Sequence, residues 1–122
     1  MNKSAGWIWV NKMGQAWIDK NPQAILPLFA EKFTYYESPF EKPLITKKEL
    51  IALWQDVPNF QKDISFDFEI IGEKNNQCLA HFQASFTRIK TSSHAHLDGI
   101  FLIKLNNHGL CTLFKWWWNT KE

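Results

Sequence analysis

Three polar side chains in the second half of the sequence have the spacing of a metal site. His94, His96 and Asp98 alternate along a predicted strand, and alternate residues of a strand share a face. Two imidazoles and a carboxylate can bind a divalent metal. The alternative is a polar strand start after residues 91–93, with these side chains in water. Because no Cys/His cluster accompanies them, we expect neither a metal nor a cofactor.

Asp98 also has the chemistry of an acid or base. It could complete a pair with a Tyr or Glu in a pocket, lie on the outer face of its sheet, or accept a backbone hydrogen bond at a bulge marked by Gly99. Asp98 and Phe101 are three residues apart and therefore lie on opposite faces of the strand. If Phe101 faces the pocket, Asp98 does not, unless a bulge intervenes. Asp98 is a catalytic candidate, whereas His81, on the polar face of another predicted strand, is expected at a surface or interface.

The sequence Trp116-Trp117-Trp118 near the end of the chain is its most distinctive string. On a strand, Trp116 and Trp118 point to one side and Trp117 to the other. The first pair can line a pocket or pack in a core. The opposite ring needs cover, and a partner subunit is the simplest source of it, so we predict a homodimer.

Aromatic residues make up 16% of the 122 residues, with seven Trp and ten Phe. Such large, stiff rings suit a core or the wall of an apolar pocket. Hydrophobic residues account for 45% and charged residues for 21%, which favours a single globular domain over residues 1–122.

The charge pattern and the apolar runs exclude several classes of partner. The net charge is +2 without a basic stripe, so we expect no nucleic acid. No run reaches the ~20 apolar residues of a membrane span, and residues 1–10 lack the apolar run of a signal peptide. We therefore expect a cytoplasmic protein away from membranes, with Cys78 and Cys111 as buried free thiols.

The first half of the chain has mainly helical patterns. A helix is predicted over residues 4–21, because its apolar side chains form one stripe of Trp9, Met13 and Trp17. Asn21 and Pro22 favour the start of a second helix, to about residue 30. Pro27 lies in its second turn and predicts that this helix is short or irregular.

A strand and a third helix complete this half. Residues 33–37 favour a strand, which Ser38 and Pro39 end. Thr46, with Glu49 three residues later, forms the capping box of a helix that ends at residues 57–58.

Four long strands follow, with apolar and polar residues alternating. They are predicted near residues 63–70, 80–86, 97–105 and 110–118, joined by turns at residues 73–77 and 106–109. The fold class is therefore α+β, a curved antiparallel meander wrapped around helices gathered on one face. Such a sheet forms a cone with an internal pocket, where function is expected.

Taken in order, these patterns resemble the nuclear transport factor 2-like and SnoaL-like proteins. The resemblance rests on Ala16-Trp17-Ile18-Asp19, on Asp98-Gly99-Ile100-Phe101 and on the ending from Gly109 to Trp116-Trp117. It implies the cone fold and a common tendency to form dimers. The family includes ketosteroid isomerase, polyketide cyclases and dehydratases as well as non-catalytic domains, so the fold alone does not give the function.

Resemblance to ketosteroid isomerase implies three positions for catalytic groups. A carboxylate moves a proton, while a Tyr and a protonated Asp donate hydrogen bonds to an oxyanion. Here the Tyr position falls on Met13 and the Asp position on Phe101, and neither side chain can donate. The base position falls on Glu37 or, with a one-residue slip, on Ser38.

We favour Glu37, because it then shares the inner face of its strand with Phe33 and Tyr35. A carboxyl group among aromatic rings has its pKa raised by desolvation and can act as an acid or base. The alternative is a strand-end Glu that reaches solvent near the mouth of the pocket.

Three functions follow as hypotheses. The favoured one is the binding of a small apolar or aromatic molecule in the pocket. The second is an isomerase, cyclase or dehydratase that uses Glu37 or Asp98, and the third is a dimerisation module without a ligand. The predicted ligand-binding side chains are Trp9, Met13, Trp17, Tyr35, Trp54, Phe101, Trp116 and Trp118.

Overall fold

The computed structural model of the protein describes residues 3–122, so residues 1 and 2 of the predicted domain lie outside the described part. Three α-helices lie on one side of a curved five-stranded sheet in this part of the chain, which confirms the predicted α+β cone. None of the described helices has both the length and the apolar character needed to cross a membrane. In chain order the elements are α1 (Ala5–Ile18), two 3₁₀ turns (Pro22–Ala24 and Leu26–Leu28), β1 (Phe29–Tyr36), α2 (Lys47–Trp54), α3 (Asp56–Phe60), β2 (Gln61–Lys74), β3 (Gln77–Arg88), β4 (His94–Leu105) and β5 (Cys111–Lys121).

Helix α1 forms as its apolar stripe predicts. The hydroxyl of Ser4 caps it by accepting a hydrogen bond from the backbone N–H of Trp7 at 3.1 Å, which satisfies one of the free donors at a helix start. Trp9, Met13 and Trp17 are all buried. The stripe therefore faces the sheet and supplies the inner layer of the cone.

The second predicted helix is short and irregular, as the position of Pro27 predicts: the chain forms two 3₁₀ turns there and no α-helix. Pro27 has no N–H to donate, and its ring clashes with the carbonyl of a preceding α-helical turn. The chain straightens at Phe29, which starts β1 four residues before the predicted strand.

The capping box of α2 is confirmed. Thr46 accepts from the backbone N–H of Glu49 at 3.2 Å, and the Glu49 carboxylate accepts from the backbone N–H of Thr46 at 3.1 Å. The predicted stop at residues 57–58 is wrong, because α3 includes them. Pro58 falls in the first turn of α3, where a missing N–H costs no helical hydrogen bond.

The sheet has the strand order β1-β5-β4-β3-β2. Strands β2 to β5 form the predicted antiparallel meander, and β1 adds to β5 in parallel. Asn75 and Asn76 both have positive φ, of 53° and 64°, as the type I′ hairpin between β2 and β3 requires. The parallel pairing places the end of β1 beside the middle of β5, where Tyr36 lies opposite Lys115.

The inner side of the sheet is filled with aromatic rings. Phe82 and Phe101 stack with their centroids 4.3 Å apart, and Phe101 stacks on Trp116 at 5.4 Å. Cys78 and Cys111 are buried free thiols, as predicted, and desolvation raises their pKa values to about 11 and about 12. The deep part of the cone is thus a packed core rather than a hollow.

Gly99 marks a close approach of two strands. The register of β4 against β5 runs through it without a shift, so the bulge considered above does not form there. A Cβ at this position would collide with the backbone carbonyl of Trp117 and lie 2.8 Å from the ring of Phe82. Only glycine lets β4 and β5 pair here with the ring in place.

We expect Gly99→Ala to lower the free energy of unfolding by about 1–3 kcal/mol, because the backbone of β5 must move to admit the methyl group. Gly72→Ala is the matched control, since it is also a strand glycine but a Cβ there meets nothing within 4 Å. It should be neutral or stabilising by less than about 1 kcal/mol. Urea denaturation of both variants measures the difference, and equal effects would contradict the close-approach argument.

Candidate functional site

A cleft of about 130 Å³ opens beside the end of β1. Its walls come from α1, from the end of β1, from the α2–α3 segment, from the start of β2 and from β5. The volume is smaller than the roughly 300–1,000 Å³ of typical ligand pockets, because the rings fill the rest of the cone. The lining residues are Trp17, Tyr35, Glu37, Leu53, Trp54, Asp56, Val57, Gln61 and Trp116.

Four of the eight predicted ligand-binding side chains line this cleft: Trp17, Tyr35, Trp54 and Trp116. The other four predictions need correction, each for a packing reason. Trp9 belongs to the core, where its indole N–H donates to the carbonyl of Leu28 at 2.8 Å.

Met13, Phe101 and Trp118 also lie away from the cleft. Met13 is buried as part of the apolar stripe of α1, and Phe101 is fully enclosed by neighbouring rings. Trp118 packs on Trp116 at 4.7 Å but lines a neighbouring outer groove with residues 38–40, and Trp116 borders both this groove and the cleft. The oxyanion positions implied by ketosteroid isomerase therefore lie in apolar core.

Glu37 lies on the cleft, directly after β1, and Ser38 turns away to the outer groove. Burial raises the pKa of the Glu37 carboxyl to about 7, and the negative charges of Glu41 and Asp56 add to this rise. The hydroxyl of Tyr35 and the indole of Trp116 act in the opposite direction. The carboxyl group therefore changes its protonation near neutral pH, as a proton-transfer group must.

Several polar atoms around Glu37 are buried without a hydrogen bond of good geometry. They are the hydroxyl of Tyr35, one carboxylate oxygen of Glu37 and the indole nitrogens of Trp54 and Trp116. The neighbouring indole of Trp17, by contrast, donates to the side-chain oxygen of Gln61 at 2.8 Å. Buried polar groups are normally paired, so this concentration of unpaired atoms distinguishes the cleft from the rest of the core.

Tyr35 stays protonated at physiological pH. Its burial raises its pKa well above the ordinary value, and the negative charge of Glu37 adds to the effect. A neutral phenol can donate one hydrogen bond and accept another. Tyr35 is therefore a hydrogen-bond donor at the cleft and not a base.

Asp98 lies on the outer face of the sheet and does not reach the cleft. Its carboxylate accepts from the amide of Gln83 at 3.0 Å and pairs with the imidazole of His81 at 2.9 Å. These two contacts lower the pKa of Asp98 and the Asp98 contact raises that of His81. Asp98 therefore lies on the face opposite to Phe101, as the alternation along the strand predicts in the absence of a bulge.

The two other histidines of the predicted metal pattern also lie outside the cleft. Nδ1 of His94 lies 2.9 Å from the hydroxyl of Thr87, and His96 is exposed on the outer face. Within residues 3–122, no group of three or more His, Cys, Asp or Glu side chains is arranged to hold a metal ion.

The sequence patterns gave no indication of four cleft residues, namely Leu53, Asp56, Val57 and Gln61. Leu53 lies in α2 and is half-buried against the core. Asp56 and Val57 lie in the first turn of α3, and Gln61 lies where α3 runs into β2. The usable signal was Asp56, an acidic residue suited to a helix start.

Comparison with known proteins identifies the family. The family model for the SnoaL-like domain matches residues 10–114. The chain belongs to the SnoaL-like domain family. No curated protein matches the sequence. Whether the catalytic positions of ketosteroid isomerase carry over to this chain therefore depends on the geometry of its own residues.

Solved structures share the fold at low sequence identity. A Mycobacterium tuberculosis protein in complex with estradiol-17β-hemisuccinate is 13% identical, with a TM-score of 0.81 over 98% of this chain and 100% of that one. The epoxide hydrolase/cyclase-like enzyme SalBIII, of pyran ring formation in salinomycin, is 10% identical, with a TM-score of 0.79 over 91% and 88%. An NTF2-like protein of unknown function from Burkholderia pseudomallei is 15% identical, with a TM-score of 0.78 over 96% and 92%.

We expect Glu37→Gln to change the free energy of unfolding more favourably at pH 8 than at pH 4. The pKa of Glu37 is raised in the folded state from 4.5 to about 7, so the wild type loses stability as pH rises through this window. The variant removes that loss, and the two effects should differ by roughly 3 kcal/mol. Denaturant unfolding at both pH values measures it.

Asp98→Asn is the control of opposite sign. The pKa of Asp98 is lowered by its partners, so its contribution is present at pH 8 and is lost as pH falls through the lowered value. The Asn variant should therefore be less stable than wild type at pH 8. A Glu37→Gln effect that does not change with pH would contradict a buried carboxyl at this position.

Proposed function

We propose that this protein binds a small molecule at the cleft and that Glu37 exchanges a proton with it. The observation that carries the proposal is the buried carboxyl group of Glu37, with a pKa of about 7, on the wall of an accessible cleft. A group that titrates near the working pH is both available and reactive as a general acid or base. Asp98, the second catalytic candidate, has no part in it.

The unpaired polar atoms support a ligand at this position. The donors of Tyr35, Trp54 and Trp116 lie close enough to one another and to Glu37 to affect the pKa values there, but none makes a hydrogen bond of good geometry, and a poorly paired buried donor is costly. A polar atom of a bound molecule would recover part of that cost. The small volume favours a compact molecule, or one end of a longer molecule, over a large apolar ligand enclosed in the cone.

The known relatives are compatible with both binding and chemistry. One neighbour is described as an epoxide hydrolase/cyclase-like enzyme and another was solved with a steroid derivative. These similarities support small-molecule chemistry only at the level of the fold. The cytoplasmic location expected from the sequence remains a prediction.

Native mass spectrometry of the protein purified from its own host tests the binding step, and we expect a co-purified small molecule of defined mass. Incubating that molecule with the protein in D₂O then tests the proton transfer. We expect solvent deuterium to enter the molecule in the presence of wild type, and Glu37→Gln to slow the exchange by about 10²–10⁴-fold.

Asp98→Asn serves as the matched carboxylate control and should exchange at the wild-type rate. Bare protein in the mass spectrum, with no quenching of Trp fluorescence by hydrophobic probes, would remove the binding proposal. Exchange that survives Glu37→Gln would leave binding in place but overturn the role of Glu37.

We also propose that the outer face of the sheet pairs two copies of the chain. Trp117 and Leu79 remain 41% and 40% exposed there, although apolar side chains of this size are usually covered. The β2 side of this face carries Asp67 and Glu69, whereas the β5 side carries Lys115 and Lys121. A twofold axis that lies in the interface, parallel to the strands, would set the acidic side of one copy against the basic side of the other.

Trp117→Lys should convert the dimer into a monomer, because it places a charge in the apolar part of the proposed interface. Ile8→Lys is the matched control, since Ile8 is 42% exposed but lies on α1. Analytical ultracentrifugation measures both variants and the wild type. A monomeric wild type at micromolar concentration would remove the dimer proposal.

A further inference from the structure

The charges of the cleft have a single sign. Glu37 and Asp56 both line it, and the charge of Glu41 is close enough to act on Glu37. Among the lining residues of the described chain there is no Lys, Arg or His. A carboxylate or phosphate ligand would bring a further negative charge into a poorly solvated place, which is costly. The cleft therefore disfavours anions.

The remaining walls are aromatic rings set at steep angles to one another. Trp17 meets Trp54 at an interplanar angle of 81° and Trp116 at 67°, with centroid distances of 6.0 and 6.1 Å. Tyr35 meets Trp116 at 66° and 6.5 Å. Rings at such angles form the sides of a box and do not stack into a flat layer.

The combination of aromatic walls and carboxylates is the chemistry that recognises organic cations. The face of an indole or phenol ring carries negative electrostatic potential and attracts an ammonium group within about 6 Å of its centroid. A quaternary ammonium has no N–H to donate, so it needs only ring faces and a nearby negative charge. The 130 Å³ of the cleft limits the group to a compact one.

From these contacts we propose that the ligand is a small organic ammonium compound, held between Trp17, Trp54 and Trp116 with Glu37 as its counter-ion. This inference rests on the proposed function and names the substrate class of the same cleft. The unpaired donors of Tyr35 and the two indoles call for an oxygen in the same molecule. A carbonyl compound that also carries an ammonium group supplies both features, and the C–H bonds beside its carbonyl are acidic enough to exchange a proton with Glu37.

Such a ligand also changes the state of Glu37. A bound cation favours the ionised carboxylate over the neutral acid, so binding releases the proton that burial retains. A cationic substrate would thereby convert Glu37 into a base at a pH where the free protein is partly protonated.

A pair of probes of nearly equal shape tests the proposal. Choline carries a trimethylammonium group, and 3,3-dimethylbutan-1-ol has the same outline with a neutral carbon in place of the nitrogen. We expect isothermal titration at constant ionic strength and pH 8 to show choline binding at least about tenfold more tightly than the neutral alcohol.

The pH dependence supplies an independent readout. Because the free carboxyl has a pKa of about 7, choline should bind roughly tenfold more weakly at pH 6 than at pH 8. Glu37→Gln should weaken choline binding and abolish this pH dependence. Neither the change of pH nor the Glu37→Gln substitution should weaken binding of the neutral alcohol to the same extent.

Variants of the aromatic side chains distinguish binding by ring faces from general charge attraction. Trp54→Leu keeps an apolar wall but removes a ring face, and it should weaken choline binding by several-fold. Trp7→Leu is the control, because Trp7 packs on Phe68 outside the cleft, and it should bind choline as wild type does. Circular dichroism of each variant checks the fold.

Each result has a separate meaning for the two proposals. Equal or tighter binding of the neutral alcohol would overturn the cation proposal while leaving the small-molecule function in place. Absence of choline binding at millimolar concentration would also overturn it, and a co-purified neutral molecule in the mass spectrum would then identify the true class. Failure of the proposed function requires that no molecule binds.

Discussion

The ring of Trp116 is the contact on which both the core and the cleft depend. One face stacks on Phe101 at 5.4 Å and an interplanar angle of 16°, and the ring meets Trp17 at a steep angle. The same indole forms part of the cleft wall and influences the pKa of Glu37. Packing and the titration of the site are therefore coupled through one side chain, and a change that moves this ring affects both.

This coupling explains why the carboxyl group is perturbed at all. A strand-end Glu would normally reach water, but the α2–α3 segment covers the end of β1 and the rings fill the volume behind it. Water is then excluded from one side of Glu37, and the charged form loses solvation that Tyr35 and Trp116 only partly replace. The cost is a loss of stability at neutral pH, as is common where a side chain is held ready for chemistry.

The helices and strands could be predicted from the sequence better than the packing of side chains between them. Alternation over β2 to β5, the Thr46–Glu49 capping box and the stripe of α1 are local signals, and the structure confirms each. The irregularity of the second helix also follows from a local signal, Pro27. The size of the hollow is overestimated, because side-chain patterns show which face a ring takes but not which rings touch. That Glu37 faces the cleft followed from its alternation with Phe33 and Tyr35, whereas Asp56 and Gln61 depended on how α3 meets β2, which no local pattern encodes.

The absence of donors at Met13 and Phe101 has a mechanistic consequence. Without an oxyanion hole at those positions, any charge that develops in a bound molecule must be balanced by groups at the mouth of the cone. Tyr35, Trp54 and Trp116 present donors there, and all three lie around the carboxyl group of Glu37. Acid–base chemistry by Glu37 would therefore be confined to this small cleft, where the reacting group needs to be compact but the rest of the substrate can extend into solvent.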